Sequence, residues 1–127
     1  DYASSCSLNK RIAQFLTYFR IVLPDLYFED EEVDMNEWVS SWLQYLLARE
    51  LPLQCTLRLW DVYFSQPDFM DFHPFVCLAL LSHLRETLED LEQSEIRTML
   101  LRLPDVDIPQ IINQAFNFRI VINASYK

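Results

Sequence analysis

Glycine is entirely absent from the 127 residues. Dinucleotide-binding and P-loop sites need glycine where backbone amides approach a phosphate, so both are disfavoured. Two-residue hairpin turns also lean on glycine, and a sheet-rich fold loses support with them. Basic residues are scarce: 10 Lys and Arg stand against 19 Asp and Glu, a formal net charge of −9. That field repels phosphate backbones and anionic headgroups, so neither a nucleic-acid partner nor direct membrane insertion is expected. No apolar run approaches the roughly 20 residues that cross a bilayer, and no signal peptide is visible. The chain opens on Asp1 rather than methionine, which suggests a piece of something longer.

Cysteine and histidine are few. Cys6, Cys55 and Cys77 make an odd count without metal-like spacing. Cys55 and Cys77 fall inside apolar helical patterns, where a thiol acts as a small buried hydrophobe. The expected state is reduced and the expected location cytoplasmic, with membranes reached only through partners. His73 and His83 have no cysteine at zinc spacing, so no metal and no cofactor are expected.

Apolar side chains are plentiful, at 51% hydrophobic and 14% aromatic, enough for the core of one domain. Their spacing is helical throughout. Over 8–23, Ile12, Phe15, Leu16, Phe19, Val22 and Leu23 recur at three and four, and Pro24 ends the run. Asp25 to Glu37 then carries seven acidic residues and no basic one, reading as a solvated loop or a docking surface for a basic partner. A second helix is expected from Met35, with Asp34 and Glu37 as its capping box. Trp38, Val39, Trp42, Leu43, Leu46 and Leu47 form its stripe; Asn36, Ser40, Ser41 and Gln44 form its wet face.

Pro52 suits the first turn of a third helix ending near Phe64, with Leu53, Leu57, Trp60, Tyr63 and Phe64 inward. A fourth, over about 72–89 with Pro74 in its first turn, is apolar on both sides and should be central. A fifth over about 94–103 begins at Ser94 and breaks at Pro104. The sixth is capped by Asp107, with Pro109 in its first turn and Gln110 at the box position. Ile120-Val121-Ile122 could extend it, form a short strand or simply pack. The fold class is all-α, about six helices in one compact lobe.

Chemistry is harder to find. No ordering of serine, cysteine, histidine and carboxylate marks a catalytic triad, and carboxylate pairs discriminate nothing in so acidic a chain. Asn123-Ala124-Ser125 matches a glycosylation acceptor without a secretory context. One cluster is more specific: Trp42, then Arg49-Glu50-Leu51-Pro52, then Arg58-Leu59-Trp60-Asp61. On a helix Trp60 would point into the core, while Arg58 and Asp61, three apart, could pair along the surface.

These residues resemble the second half of a TBC domain, the module of proteins that activate GTP hydrolysis by Rab GTPases. The resemblance runs from Leu23-Pro24-Asp25-Leu26-Tyr27 through Trp38 and Trp42 to Arg58-Leu59-Trp60-Asp61. It continues through Phe72-His73-Pro74-Phe75-Val76-Cys77 to Leu103-Pro104, covering about 23–118. It implies one all-helical domain over 1–127, with a leading helix in 1–22 and a tail at 119–127. In that family an arginine from an Ile-Pro-x-Asp-x-x-Arg motif and a glutamine from a Tyr-x-Gln motif enter the GTP site.

Both motifs belong to the other, N-terminal lobe, which is the implied partner within the same protein beside a Rab-type GTPase. Ile108-Pro109 begins like the first motif, but Ile111 and Gln114 stand where aspartate and arginine should be. No tyrosine is followed two residues later by glutamine. No catalytic residue is therefore carried over, and the chain alone is expected to be inactive. Trp38, Trp42, Arg58, Trp60 and Asp61 are carried over as structural signature residues. Glu29, Asp30, Glu31 and Glu32 are the candidates for partner binding. Ser41 stands where the family often has arginine, so a non-catalytic interaction or scaffolding module is the alternative reading.

Overall fold

The computed structural model describes residues 2–26 and 35–125, with the side chains of 7–26 and 35–125. Among these residues every regular element is an α-helix. They are α1 (Tyr2–Val22), α2 (Met35–Gln44), α3 (Leu53–Phe64), α4 (Phe69–His83), α5 (Arg85–Glu89), α6 (Gln93–Leu101) and α7 (Ile108–Ser125). The proposed docking residues Glu29 to Glu32, and the proposed cap Asp34, lie outside the described residues.

The centre is α4, which lies along α7 and also meets α1 and α2. All ten of its residues from Phe72 to Leu81 are buried, as expected of a helix apolar on every side. It begins three residues earlier than its sequence suggests, so Pro74 sits in the second turn rather than the first. Leu84, at φ −91° and ψ 2°, separates it from the short α5. The sequence had suggested one continuous helix to 89.

The long outer helices behave as their patterns predict. Phe15, Phe19 and Leu23 of the first stripe are buried, and α1 stops at Val22 just before Pro24. Asp107 accepts a hydrogen bond from the Gln110 backbone N–H (3.3 Å), and α7 continues through Ile120-Val121-Ile122. Glu92, not Ser94, caps α6: its side chain and that of Glu95 form the reciprocal box. Glu37, expected in a box of its own, gives both carboxylate oxygens to Arg97 of α6, at 3.0 and 2.6 Å.

The largest departures are in α2 and α3. The pattern of α2 continues through Leu46 and Leu47, but the helix stops at Gln44 because both leucines take positive φ, 53° and 67°. The Leu47 N–H then reaches back to the Trp42 carbonyl (3.2 Å), the six-to-one closure of a Schellman turn. Glycine usually fills that left-handed position. With none in the chain, leucine occupies it at a steric cost of about 1 kcal/mol per residue. Ser41, assigned to the wet face, is buried.

In α3 the inward face is Cys55, Leu59 and Tyr63, with Thr56. Of the five residues expected inward only Tyr63 is buried; Leu53, Leu57 and Phe64 are exposed and Trp60 is half-buried. The helix carries two apolar stripes side by side, and periodicity alone does not say which one meets the core.

The turn separates backbone cost from packing. Leu47 has no exposed surface, whereas Leu46 is half-buried. Leu46→Gly should be close to neutral, since relief of the positive φ offsets lost packing. Leu47→Gly should destabilise by about 2 kcal/mol or more, because it empties a core position. Urea titration of the two variants checks this; equal effects would contradict it.

Candidate functional site

The residues expected to be structural signatures divide into a buried set and a surface set. Trp38 and Trp42 lie one turn apart on α2, almost fully buried, with rings edge to face at 4.8 Å. Phe15 and Phe19 of α1 meet Trp38 edge-on at 6.2 and 6.4 Å. The Trp42 indole donates to the Leu100 carbonyl at 2.8 Å, tying α2 to α6. Burial of each indole is worth on the order of 3 kcal/mol, and for Trp42 a partner for the buried N–H keeps that gain intact.

The carbonyls at the C-terminal end of α2 are met from three other helices. Arg11 of α1 donates to the Leu43 carbonyl at 2.9 Å, a cation at the negative end of the helix. Trp60 of α3 donates its indole N–H to the Leu46 carbonyl at 3.3 Å. His73 of α4 donates Nε2–H to the Trp42 carbonyl at 2.8 Å, beside the bond from Leu47. A carbonyl only accepts, so His73 carries its proton on Nε2. Nδ1 then accepts from the buried Tyr63 hydroxyl at 2.5 Å.

Cys77 Sγ lies 3.5 Å from the same Nε2. Complete burial lowers the His73 pKa to about 4, so the imidazole is neutral at pH 7. Burial likewise pushes Tyr63 and Cys77 well above their usual values. With both ring nitrogens engaged and no solvent contact, His73 orients helices and exchanges no proton with a substrate.

Ser41 and Glu50 are also buried and polar. The Ser41 hydroxyl donates to Glu50 Oε2 at 2.5 Å, while Oε1 of the same buried carboxyl has no hydrogen-bond partner. The Glu50 backbone carbonyl accepts from Leu103, anchoring the turn to the segment before α7.

On the surface, Arg58 and Asp61 are exposed and form no ion pair with each other, contrary to their spacing. Both are exposed on the polar side of α3, where solvation competes with an attraction worth little. They line an open cleft of about 370 Å³ between α3 and α7, with Val62, Ile108, Pro109 and Ile112 on its apolar side. Trp60 does not enter the core as expected; its role is the bond to Leu46. Sequence reasoning named His73, Tyr63 and Glu50 without their bonding roles, and missed Arg11 altogether. Only His73 and Tyr63 carried a signal, as polar groups within apolar helical patterns.

Fold and site together define an all-α lobe built round a buried tryptophan pair and a helix end capped by its neighbours. The model of the Rab-GTPase-TBC domain family matches residues 2–89, and the chain belongs to that family. It is 38% identical over 100 residues to human TBC1 domain family member 22A, a match covering 73% of this chain and 19% of the relative. It is 30% identical over 97 residues to the GTPase-activating protein gyp1 of Schizosaccharomyces pombe, covering 71% and 19%. Among solved structures, the Ypt/Rab-GAP domain of Gyp1p superposes with a TM-score of 0.76 at 26% identity. That match covers 94% of this chain and 38% of the other. The chain thus spans about a fifth of the curated relatives it matches.

Glu50 offers a direct check on the buried set. Burial raises its pKa above 4.5, with the Ser41 hydrogen bond as the largest opposing influence. A carboxyl that binds its proton more tightly folded than unfolded contributes fully below pH 4.5. That contribution is lost as pH rises through the folded value. Glu50→Gln should therefore gain stability relative to the parent chain between pH 4.5 and 8, in urea midpoints measured across that range. A variant that loses ground as pH rises would contradict the assignment.

Proposed function

We propose that this chain is the supporting, C-terminal lobe of a Rab GTPase-activating domain. In this reading it forms one wall of the groove that receives the GTPase. The arginine and glutamine that enter the GTP site come from the other lobe. The observation that carries the reading is the superposition on the Gyp1p Rab-GAP domain, which accounts for nearly all of this chain and little more than a third of that domain. The sequence supports it: no Ile-Pro-x-Asp-x-x-Arg and no Tyr-x-Gln motif is present. The buried tryptophans and the Trp60 bond hold the lobe's shape, and Arg58 and Asp61 stay free on its surface. The partners are a Rab-type GTPase and the N-terminal lobe of the same protein. The location is cytoplasmic, with membranes reached through the GTPase; no helix among the described residues is long and apolar enough to cross one.

A non-catalytic interaction module is the second reading, favoured by Ser41, which holds a buried carboxyl where the family often has arginine. Single-turnover GTP hydrolysis on a panel of Rab proteins separates the two. The chain alone should give no acceleration. The chain placed in the Gyp1p Rab-GAP domain, replacing the matched portion, should accelerate hydrolysis by about 10³-fold or more if both fingers are positioned. No acceleration from a folded chimaera would retire the activator reading in favour of the module.

A further inference from the structure

The apolar stripe that α3 turns away from the core is specific enough to name what covers it. Leu53, Leu57 and Phe64 leave 72%, 54% and 72% of their surface exposed, and half-buried Trp60 lies among them. Single exposed apolar residues need no explanation. Four in register on one helix do. The steps between them are four, three and four, which place all four side chains within about 60° of arc. That is the d-a-d-a spacing of a coiled-coil seam, narrower than the stripe of a core-facing helix. Ring contacts from Trp60 to Phe64 (6.0 Å) and from Phe64 to Phe69 (6.4 Å) carry the patch to the start of α4.

The spacing selects the occupant. An extended segment would match alternate residues, and a loop has no reason to follow a repeat of seven. A second helix does, because its own ridge of side chains fits the holes between successive a and d positions. A second copy of this chain is a poor supplier, since each carries a net charge of −9. The Gyp1p Rab-GAP domain is a better guide: this fold accounts for 38% of it, leaving more than half of such a domain to pack against what this portion exposes.

We propose that the Leu53–Leu57–Trp60–Phe64 seam is a docking face for an amphipathic helix from the other part of a Rab-GAP domain. That helix presents an aliphatic a/d ridge to the seam. The assignment rests on the reading of this chain as one lobe of such a domain. It adds the surface through which the lobes are joined.

Thiol labelling tests it. In a Cys6→Ser background the remaining Cys55 and Cys77 are buried. Leu57→Cys places a thiol on the seam, and Gln54→Cys places one on the exposed flank of the same helix. Maleimide should label both quickly in the free chain. In the chimaera with the Gyp1p domain, labelling at Leu57→Cys should slow by at least about tenfold while Gln54→Cys is unchanged. Equal labelling at Leu57→Cys in both proteins overturns the proposal, as does failure of the two parts to fold together. A free chain that sediments as a dimer and is split by Leu57→Asp assigns the seam to a second copy, which also overturns it. Hydrolysis and labelling are independent readouts. A protected seam without GTP hydrolysis retires the activator reading alone; hydrolysis with a labelled seam retires the docking face alone.

Discussion

The structure depends on how the C-terminal end of α2 is satisfied. A helix leaves its last carbonyls without partners, and a helix end inside a core cannot leave them to water. Here the Trp42, Leu43 and Leu46 carbonyls are met by His73, Arg11 and Trp60, one residue from each of α4, α1 and α3. Each bond is worth only about 1 kcal/mol net. The Trp42 carbonyl keeps the Leu47 N–H if His73 is lost, whereas the partly buried Leu43 and Leu46 carbonyls would lose their side-chain donors at a cost of about 1–3 kcal/mol each. The asymmetry makes the end of α2 a fixed point for the helices around it. It also permits two leucines in the left-handed region of a chain without glycine, because the surroundings over-determine the turn.

From that point the three tryptophans acquire distinct jobs. Trp38 is packing, with aromatic edges of α1 against it. Trp42 is packing plus two tethers, its indole to α6 and its carbonyl to α4. Trp60 is half-buried, and its indole N–H closes the turn. A lobe assembled this way holds its helices in a fixed relation, which the proposed groove-wall role requires. The buried histidine fits the same picture: kept neutral and doubly bonded, it is an orienting group.

How much of this could be read in advance varied with the physical signal. Proline stops α1 and marks the first turn of α7, and both boundaries could be read from residues alone. So could the central place of α4, since a helix apolar all round has nowhere else to go. The end of α2 could not be read, because Leu46 and Leu47 continue its period and the usual glycine marker is missing. The inward face of α3 was assigned wrongly for a different reason. The more regular of its two stripes is the exposed one, and periodicity alone does not say which stripe meets the core. Ser41 was misplaced because a short hydroxyl looks polar until its buried partner, Glu50, is known.

The most direct test of the part given to the end of α2 is the ring nitrogen spectrum of His73 in the folded chain. Nitrogen-15 shifts recorded from pH 7 down to pH 5 should show a neutral imidazole throughout, protonated on Nε2, with Nδ1 as the acceptor. An Nδ1–H tautomer would contradict the account, and so would a ring that takes up its second proton near the ordinary value of 6.5. In either case the Trp42 carbonyl would not be held as described, and the fixed point of the fold would have to lie elsewhere.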